Sequence, residues 1–324
     1  MAVNASSVTV IYAALIGNVM IALTKTGAAI WTGSSSMLSE AVHSFVDTGN
    51  QILLLYGIRR ANAQADPEHP IGYGRELYFW SFIVALLVFA FGAVVSIYHG
   101  VLHLQHPEPV KDAFVNYLVL ALAFAFEGTS WWMALRQFKI MKGSLGYYAA
   151  FRGSKDPSSF VGLFEDSAAL IGILIAAVGN FAATTLHMPV LDGVASILIG
   201  VVLAGTAMLL ARESKSLLIG ERASKQLSQS LLRIAEAACS SCKANGVLTV
   251  QLAPEQILAA LSLEFSDTLK VPDVEAAVVA IELQIQAAHP EVVSLFIKPQ
   301  TAAIYKETAR SRFSHAENAK ISSP

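Results

Sequence analysis

The stretch GVASILIGVVLAGTAMLLA, Gly193–Ala211, contains no Asp, Glu, Lys or Arg. A bilayer core of about 30 Å takes about 20 helical residues, so this stretch has the length of one membrane span. Very apolar soluble helices are the alternative, and they would need breakers every ~10–15 residues. Several such windows in one chain favour a membrane bundle. Four further windows carry almost no charge: Val8–Leu23, Phe79–Leu102, Ala113–Phe126 and Ser167–Leu191.

The overall composition agrees with a membrane protein. The chain has 324 residues, of which 54% are hydrophobic and 14% charged, whereas soluble domains are about a quarter charged. A net charge of −2 gives no reason to expect nucleic-acid binding. Two cysteines exclude a disulfide framework. No nucleophile–base pair or phosphate-binding loop stands out, so we predict that the protein is not an enzyme.

A sixth apolar segment, Ser36–Tyr56, is interrupted by Glu40, His43 and Asp47. With six spans, basic residues concentrate in alternate loops, which places both termini in the cytoplasm. The segment Val8–Leu23 lacks a charged region before it, so we expect a retained span rather than a cleaved signal peptide. The two inner loops hold Arg59, Arg60, Arg75, Arg136, Lys139, Lys142, Arg152 and Lys155, and the outer loops hold only Lys111.

The composition becomes soluble after Ala211. Apolar residues here first repeat at helical spacing and then alternate with polar residues in two segments. A second segment with helical spacing and a last alternating segment follow, so the pattern predicts the order α-β-β-α-β. We therefore predict a transmembrane domain at residues 1–212, a small cytoplasmic α+β domain at 213–306 and a disordered tail at 307–324. The expected elements are Ser224–Ala238, Val247–Leu252, Ile257–Phe265, a helix containing Val274, Val278, Ile281 and Ile285, and Val292–Ile297.

Two polar side chains in the second span are four residues apart, His43 and Asp47. This spacing places both on one helix face, where an imidazole and a carboxylate form half of a transition-metal site, especially for Zn²⁺. The alternative is a His–Asp hydrogen bond that joins two helices. Ionisable groups inside a span are costly and usually face a polar cavity or a partner.

The fifth span begins with two adjacent acids, Glu165 and Asp166. Neighbouring helical residues point about 100° apart, so we expect only one of them to share fully the cavity of His43 and Asp47. Counted from Asp156, Asp166 lies inside the membrane. The alternative is that both are first-turn acids favoured by the helix dipole.

Five motifs are spread along the chain: SEAVHSFVDTGNQ (Ser39–Gln51), DPEHPIGYGRELYFW (Asp66–Trp80), FEDSAALIG (Phe164–Gly172), LDGVASILIGVVL (Leu191–Leu203) and SKSLLIGE (Ser214–Glu221). These motifs resemble the cation diffusion facilitator family, and within it the subgroup that includes zinc transporter 9. The resemblance implies a homodimeric exporter with six spans and a ferredoxin-like cytoplasmic domain, which moves Zn²⁺ or a similar ion out of the cytoplasm in exchange for protons.

The resemblance also implies a ligand set for the transport site. His43, Asp47 and Asp166 match family ligands, whereas Gly162 stands where the family has a further His. Glu165, water or an unassigned group is then the fourth ligand. A second family site matches at Asp66 and His69, but Tyr73 replaces its later His, and a solvated loop is the alternative.

Three further features each allow two interpretations. Lys25 could pair with an intramembrane acid, and Glu127 could couple protons or pair helices. The motif Cys239-Ser-Ser-Cys242 could bind metal or cycle its redox state, or its cysteines could simply be small residues at a helix end.

Together these features predict proton-coupled efflux of zinc, or of Mn²⁺, Fe²⁺ or Co²⁺, by alternating access in the lipid bilayer of a bacterial inner membrane. We expect no cofactor, with the metal ion as substrate. The alternative from another class is a non-transporting membrane scaffold or regulatory subunit.

Overall fold

The computed structural model describes the backbone of residues 5–321 and the side chains of residues 15–311, apart from 148, 152, 158 and 159. The chain forms two compact units, one of residues up to Ala63 with Arg75–Ser216, the other of Gln64–Gly74 with the residues from Leu217. The boundary expected after residue 212 thus falls after Ser216, and the loop 64–74 belongs to the second unit. The side chains of residues 8–14, in the expected retained span, and the last three residues of the expected tail lie outside the described parts.

The first unit is helical. Its long helices α1 and α2 are separated by Gly33, whose φ of +71° lies in the left-handed region that glycine favours. The helices α3 and α4 are joined without a break by a π-helical turn, Val88–Ala93, and form one long helix, Glu76–Gln105. The bounds are α1 Ala5–Thr32, α2 Ser35–Ala61, α3 Glu76–Leu87, α4 Val94–Gln105, α5 Ala113–Lys142, α6 Tyr147–Gly153, α7 Pro157–Thr185 and α8 Val190–Ile219.

Four helices in the described residues are long and apolar enough to cross a membrane: Glu76–Gln105, Ala113–Lys142, Phe160–Thr185 and Val190–Ile219. Helix α2 is 27 residues long, but its polar and charged side chains lower its mean hydropathy. Large apolar side chains such as Phe91, Phe114 and Val178 point out of the bundle, as lipid contact requires. The protein is a membrane protein, and the full count of six spans stays a prediction.

Small residues let the helices of the bundle approach one another closely. A Cβ atom at Gly100 would lie 2.8 Å from the carbonyl oxygen of Gly193, so α4 and α8 pack backbone against backbone there. Alanines also predominate where α1, α5 and α7 meet. The buried cluster includes Ala28, Ala29, Ala123, Ala168 and Ala176.

The second unit contains a three-stranded sheet in the order β1-β2-β3, with β1 antiparallel and β3 parallel to β2. Two helices pack on one face of the sheet. Along the chain the elements follow as helix, strand, strand, helix and strand, which confirms the predicted order α-β-β-α-β. Alternate residues of β2, Ile257 to Leu263, share one core with Leu231 and Ile281 of these helices. The bounds are α9 Lys225–Ala238, β1 Cys242–Ala253, β2 Gln256–Phe265, α10 Val271–Ala288 and β3 Val292–Pro299.

The prediction of a disordered tail from residue 307 was wrong for the described residues. A further helix, α11, runs over Ala302–Ile321. Its start is fixed because the hydroxyl of Thr301 accepts a hydrogen bond from the backbone N–H of Ile304, and Glu264 accepts one from the N–H of Ala302. Side-chain acceptors at a helix N-terminus replace the missing intrahelical partners, a local effect that the polar composition of this segment concealed.

Candidate metal centre inside the helical bundle

Helix α2 brings its polar residues into the interior of the bundle. The side chain of His43 is only 1% exposed, and its Nε2 atom lies 3.4 Å from Oδ2 of Asp47, one helical turn further on. Both ring nitrogens of His43 and Oδ1 of Asp47 lack a hydrogen-bond partner among the described residues. Buried polar atoms are usually paired, so these unpaired atoms point to a ligand.

Helix α7 contributes both of its acids to the same region. The Asn50 side-chain amide donates to Oε1 of Glu165 at 2.7 Å, and the hydroxyl of Ser130 donates to Oδ2 of Asp166 at 2.9 Å. Glu165 is buried against α2, while Asp166 faces α5. The two carboxylates therefore diverge as the helix geometry predicts.

A cavity of about 300 Å³ lies between these helices. Both Glu165 and Asp166 line it, and which of them binds an ion stays a prediction. His43 is not among the lining residues, but its Nε2 atom lies beside the carboxylate of Asp47, which does line the cavity. The polar and glycine lining consists of Asn18, Ser44, Asp47, Gln51, Glu127, Ser130, Gly162, Glu165 and Asp166.

Gly162 lines the cavity without filling it. Apart from its own helical turn, no heavy atom of the described residues lies within 4 Å of the position that a Cβ would occupy there. No three His, Cys, Asp or Glu side chains in the described part of the chain are close enough to hold a metal ion together. Binding at this cavity would therefore have to draw the side chains inward.

Lys25 of α1 is fully buried and bridges three helices. Its Nζ atom lies 3.0 Å from Oε2 of Glu40, 2.9 Å from Oγ of Ser44 and 2.8 Å from Oε1 of Glu127. The expectation that Lys25 pairs with an intramembrane acid is confirmed, and Glu127 does pair helices. Hydropathy showed Lys25 and Glu40 as isolated interruptions in different helices, but nothing in the sequence showed that they meet.

Asp192, at the start of α8, lies at the N-terminus of α2 instead of in the cavity. Its carboxylate accepts hydrogen bonds from the backbone N–H groups of Ser35 and Ser36 and from the hydroxyls of Ser34 and Ser36. Nε2 of His103 is 4.0 Å from it. The negative charge satisfies the free N–H groups of α2 and its helix dipole, and so holds in place the helix that carries His43.

The loop 64–74 brings together the residues of the possible second site. Nδ1 of His69 lies 3.3 Å from Oδ1 of Asp66. The hydroxyl of Tyr73 donates to Oδ2 of Asp66 at 2.6 Å, and the backbone N–H groups of Glu68 and His69 donate to Oδ1. The Tyr73 hydrogen bond, followed by that of the His69 backbone, lowers the pKa of the exposed Asp66. Both carboxylate oxygens of Asp66 thus already accept hydrogen bonds from within this turn.

Cys239 and Cys242 form a disulfide bond between the end of α9 and the start of β1. The bond closes a tight turn in which the N–H of Cys242 also donates to the carbonyl of Cys239. In this oxidised state the pair has no free thiolate for a metal, and the sheet begins directly after it.

These observations define a membrane protein whose bundle of apolar helices surrounds a cavity lined by carboxylates, with the buried imidazole of His43 beside it. Residues 11–219 match the family model described as the cation efflux transmembrane domain. The chain belongs to this family, which is the cation diffusion facilitator family, and resembles its zinc transporter 9-like members.

Two relatives illustrate the similarity. The "Proton-coupled zinc antiporter SLC30A9, mitochondrial" of Homo sapiens is 34% identical over 209 residues, which are 64% of this chain and 37% of that protein. "Metal tolerance protein C4" of Arabidopsis thaliana is 33% identical over 195 residues, 59% of this chain and 42% of that protein. The chain therefore spans well under half the length of these relatives.

Proposed function

We propose that this protein exports a divalent transition-metal ion from the cytoplasm in exchange for protons, with Zn²⁺ as the first candidate. The observation that carries the proposal is one intramembrane cavity lined by Asp47 of α2 and Asp166 of α7, with His43 beside Asp47 and without a hydrogen-bond partner among the described residues. The human and Arabidopsis relatives, a zinc antiporter and a metal tolerance protein, support the same class of substrate.

The ligand chemistry explains the exchange. Zn²⁺ accepts nitrogen and oxygen ligands, and here it would take a neutral His43 with the ionised carboxylates of Asp47 and Asp166. Protons compete for those same atoms, so metal binding releases protons and weakens as the pH falls. If the cavity opens alternately to each side, protons that enter from outside displace the metal there and return with the empty site.

Glu165 is the candidate fourth ligand, but its Oε1 atom already accepts a hydrogen bond from Asn50. We therefore assign it a smaller share of the binding than Asp166, whose partner Ser130 is a hydroxyl that can rotate away. In the loop 64–74, Asp66 and His69 stay a possible second site, although Tyr73 occupies one oxygen of Asp66.

The proposal extends to the whole assembly. It includes six spans, both termini in the cytoplasm, a ferredoxin-like cytoplasmic domain, a homodimer and a bacterial inner membrane as the location. No resident cofactor is needed, since the metal ion is the substrate.

Zinc transport tests the ligand assignment. We expect His43→Ala, Asp47→Ala and Asp166→Ala each to abolish zinc-65 uptake into everted vesicles, because each removes a ligand, whereas Glu165→Ala is milder. An acidic vesicle interior should increase wild-type uptake, since protons there displace the metal into the lumen. Undiminished uptake by the His43 and Asp47 variants would reject the site, and a stronger loss at Glu165 than at Asp166 would reverse the choice of carboxylate.

A second candidate substrate is Mn²⁺, Fe²⁺ or Co²⁺. The cavity is lined by carboxylates and by Gly162, and oxygen-rich ligand sets suit harder ions such as Mn²⁺. Reconstitution in liposomes with a metal-sensitive dye inside, tested with each of the four cations, decides among them. A correctly folded protein that moves none of the four would favour the non-transporting scaffold.

A further inference from the structure

Glu127 of α5 lies between the cavity and the buried Lys25. Its Oε1 atom is 2.8 Å from Nζ of Lys25, while its Oε2 atom is buried and has no hydrogen-bond partner within the described residues. Glu127 also lines the cavity, together with Asp47 and Asp166. One oxygen of this carboxylate is therefore held in place and the other is free to accept a ligand.

The other carboxylate on Lys25, that of Glu40, also has one oxygen, Oε1, without a hydrogen-bond partner among the described residues, but it does not line the cavity. Glu40 is fully buried, and its Oε2 atom is 3.0 Å from Nζ of Lys25. Its Oε1 atom faces Gly172 of α7, where an added Cβ would collide with it. One ammonium thus faces two carboxylates, and only Glu127 reaches the cavity.

The register of α5 directs Glu127 toward the proposed ligands. Ser130 lies three residues further along the helix, on the same face, and donates to Asp166 at 2.9 Å. Across the cavity, Gly162 offers no donor atom and leaves open space. His43 is 1% exposed, and neither ring nitrogen has a hydrogen-bond partner among the described residues, although Nε2 lies 3.4 Å from Oδ2 of Asp47. The bundle thus holds a set of carboxylates around an open space, with a buried imidazole behind one of them.

We propose that Glu127 is a further metal ligand of this site, binding the ion through Oε2 while Lys25 holds Oε1. This inference rests on the proposed function of the cavity. With Glu127 the ligand set becomes His43, Asp47, Asp166 and Glu127, one nitrogen and three carboxylates. Such a set is harder than one with two imidazoles, so it accepts Mn²⁺ as well as Zn²⁺.

Metal binding to the purified full-length chain in detergent tests this role. Dissociation constants for Zn²⁺ and Mn²⁺ are measured by competition with a chelating dye for the wild type, Glu127→Gln and Glu40→Gln. We expect Glu127→Gln to weaken Zn²⁺ binding by about tenfold or more, and Mn²⁺ binding by a larger factor because Mn²⁺ depends more on anionic oxygen. Glu40→Gln is the matched control, since it removes the same charge beside Lys25 at a residue that does not line the cavity. Its amide oxygen can still accept the Lys25 hydrogen bond that helps to hold α2, so we expect a clearly smaller loss of affinity for both ions than in Glu127→Gln.

Each outcome decides the inference. Wild-type binding by Glu127→Gln, equal losses in the two variants, or an equal loss for both metals would overturn it while the proposed function stands. Absence of binding by the folded wild type would instead overturn the proposed function itself. If Glu127→Gln does not elute as a folded species, Glu127→Asp replaces it, since it keeps the charge but withdraws the oxygens by one methylene. Unchanged metal affinity in that variant would also overturn the inference.

Discussion

At the scale of the residue, Gly162 bears on the metal selectivity of the proposed site. It lines the cavity and stands where the family resemblance places a histidine, and the described residues outside its own helical turn leave open space around the position of its missing Cβ. In the proposed site, the glycine thus removes a ligand and leaves the space for one. Elsewhere in the same cavity, Oδ1 of Asp47 and Oε2 of Glu127 have no hydrogen-bond partner among the described residues.

Restoring the imidazole tests this residue. We expect Gly162→His to fold, because the site is open, and to raise the affinity for Zn²⁺ relative to Mn²⁺, because imidazole suits Zn²⁺. Gly162→Ala is the control: it removes the glycine and raises the helix propensity by about 1 kcal/mol, more than histidine does, without adding a ligand. Competition measurements with the chelating dye compare the two. A Zn²⁺ to Mn²⁺ ratio that is equal in both variants would contradict the position assigned to Gly162.

At the scale of the element, α2 is held from both sides. Asp192 binds its N-terminus through two backbone N–H groups and two hydroxyls. Within the bundle, Lys25 binds Glu40 and Ser44, which flank His43 in the sequence. The helix that carries the His–Asp pair is therefore fixed in position by residues of α1 and α8.

Removing the anion at the start of α2 tests this support. Asp192→Ala should lower the stability by about 2–3 kcal/mol, because it leaves several buried donors without their charged acceptor. The loss is read as an earlier thermal unfolding transition of the detergent-solubilised protein. Asp112→Asn is the control, since among the described residues the carboxylate of Asp112 binds only the exposed indole N–H of Trp31 and asparagine tolerates the positive φ of 45° at this position, so the change should cost little. Equal transitions for the two variants would show that Asp192 does not anchor α2.

At the scale of the whole molecule, the membrane bundle and the sheet domain are separate compact units with different compositions. The apolar helices expose large side chains to lipid, whereas the sheet domain has its own core around Leu231, Leu261 and Ile281. The proposed topology places the sheet domain in the cytoplasm, because basic residues surround the inner loops.

Reporter fusions test that topology. A fluorescent protein that folds only in the cytoplasm should fluoresce when it is fused after residue 145 or at the C-terminus. Alkaline phosphatase, which is active only outside, should be active after residue 107 or residue 187. Phosphatase activity at the C-terminus would mean an odd number of spans or the opposite orientation.

The sequence alone determined the membrane class, the order α-β-β-α-β and the proximity of His43 to Asp47. These depend on hydropathy over a window or on neighbours one helical turn apart, which are local properties of the chain. The end of the chain was predicted incorrectly because α11 begins at a cap formed by Thr301 and Glu264, and the contact with Glu264 is not local.

Only the tertiary structure decided which distant residues meet. Lys25 and Glu127 are 102 positions apart, and Ser35 and Asp192 are 157 apart. Both pairs depend on the packing and rotation of whole helices, which small residues such as Gly100 allow to approach closely. Periodicity shows which face of a helix is polar, but the partner of that face is set by the packing of the bundle, and for this reason the place of Glu127 beside the cavity became visible only in the folded chain.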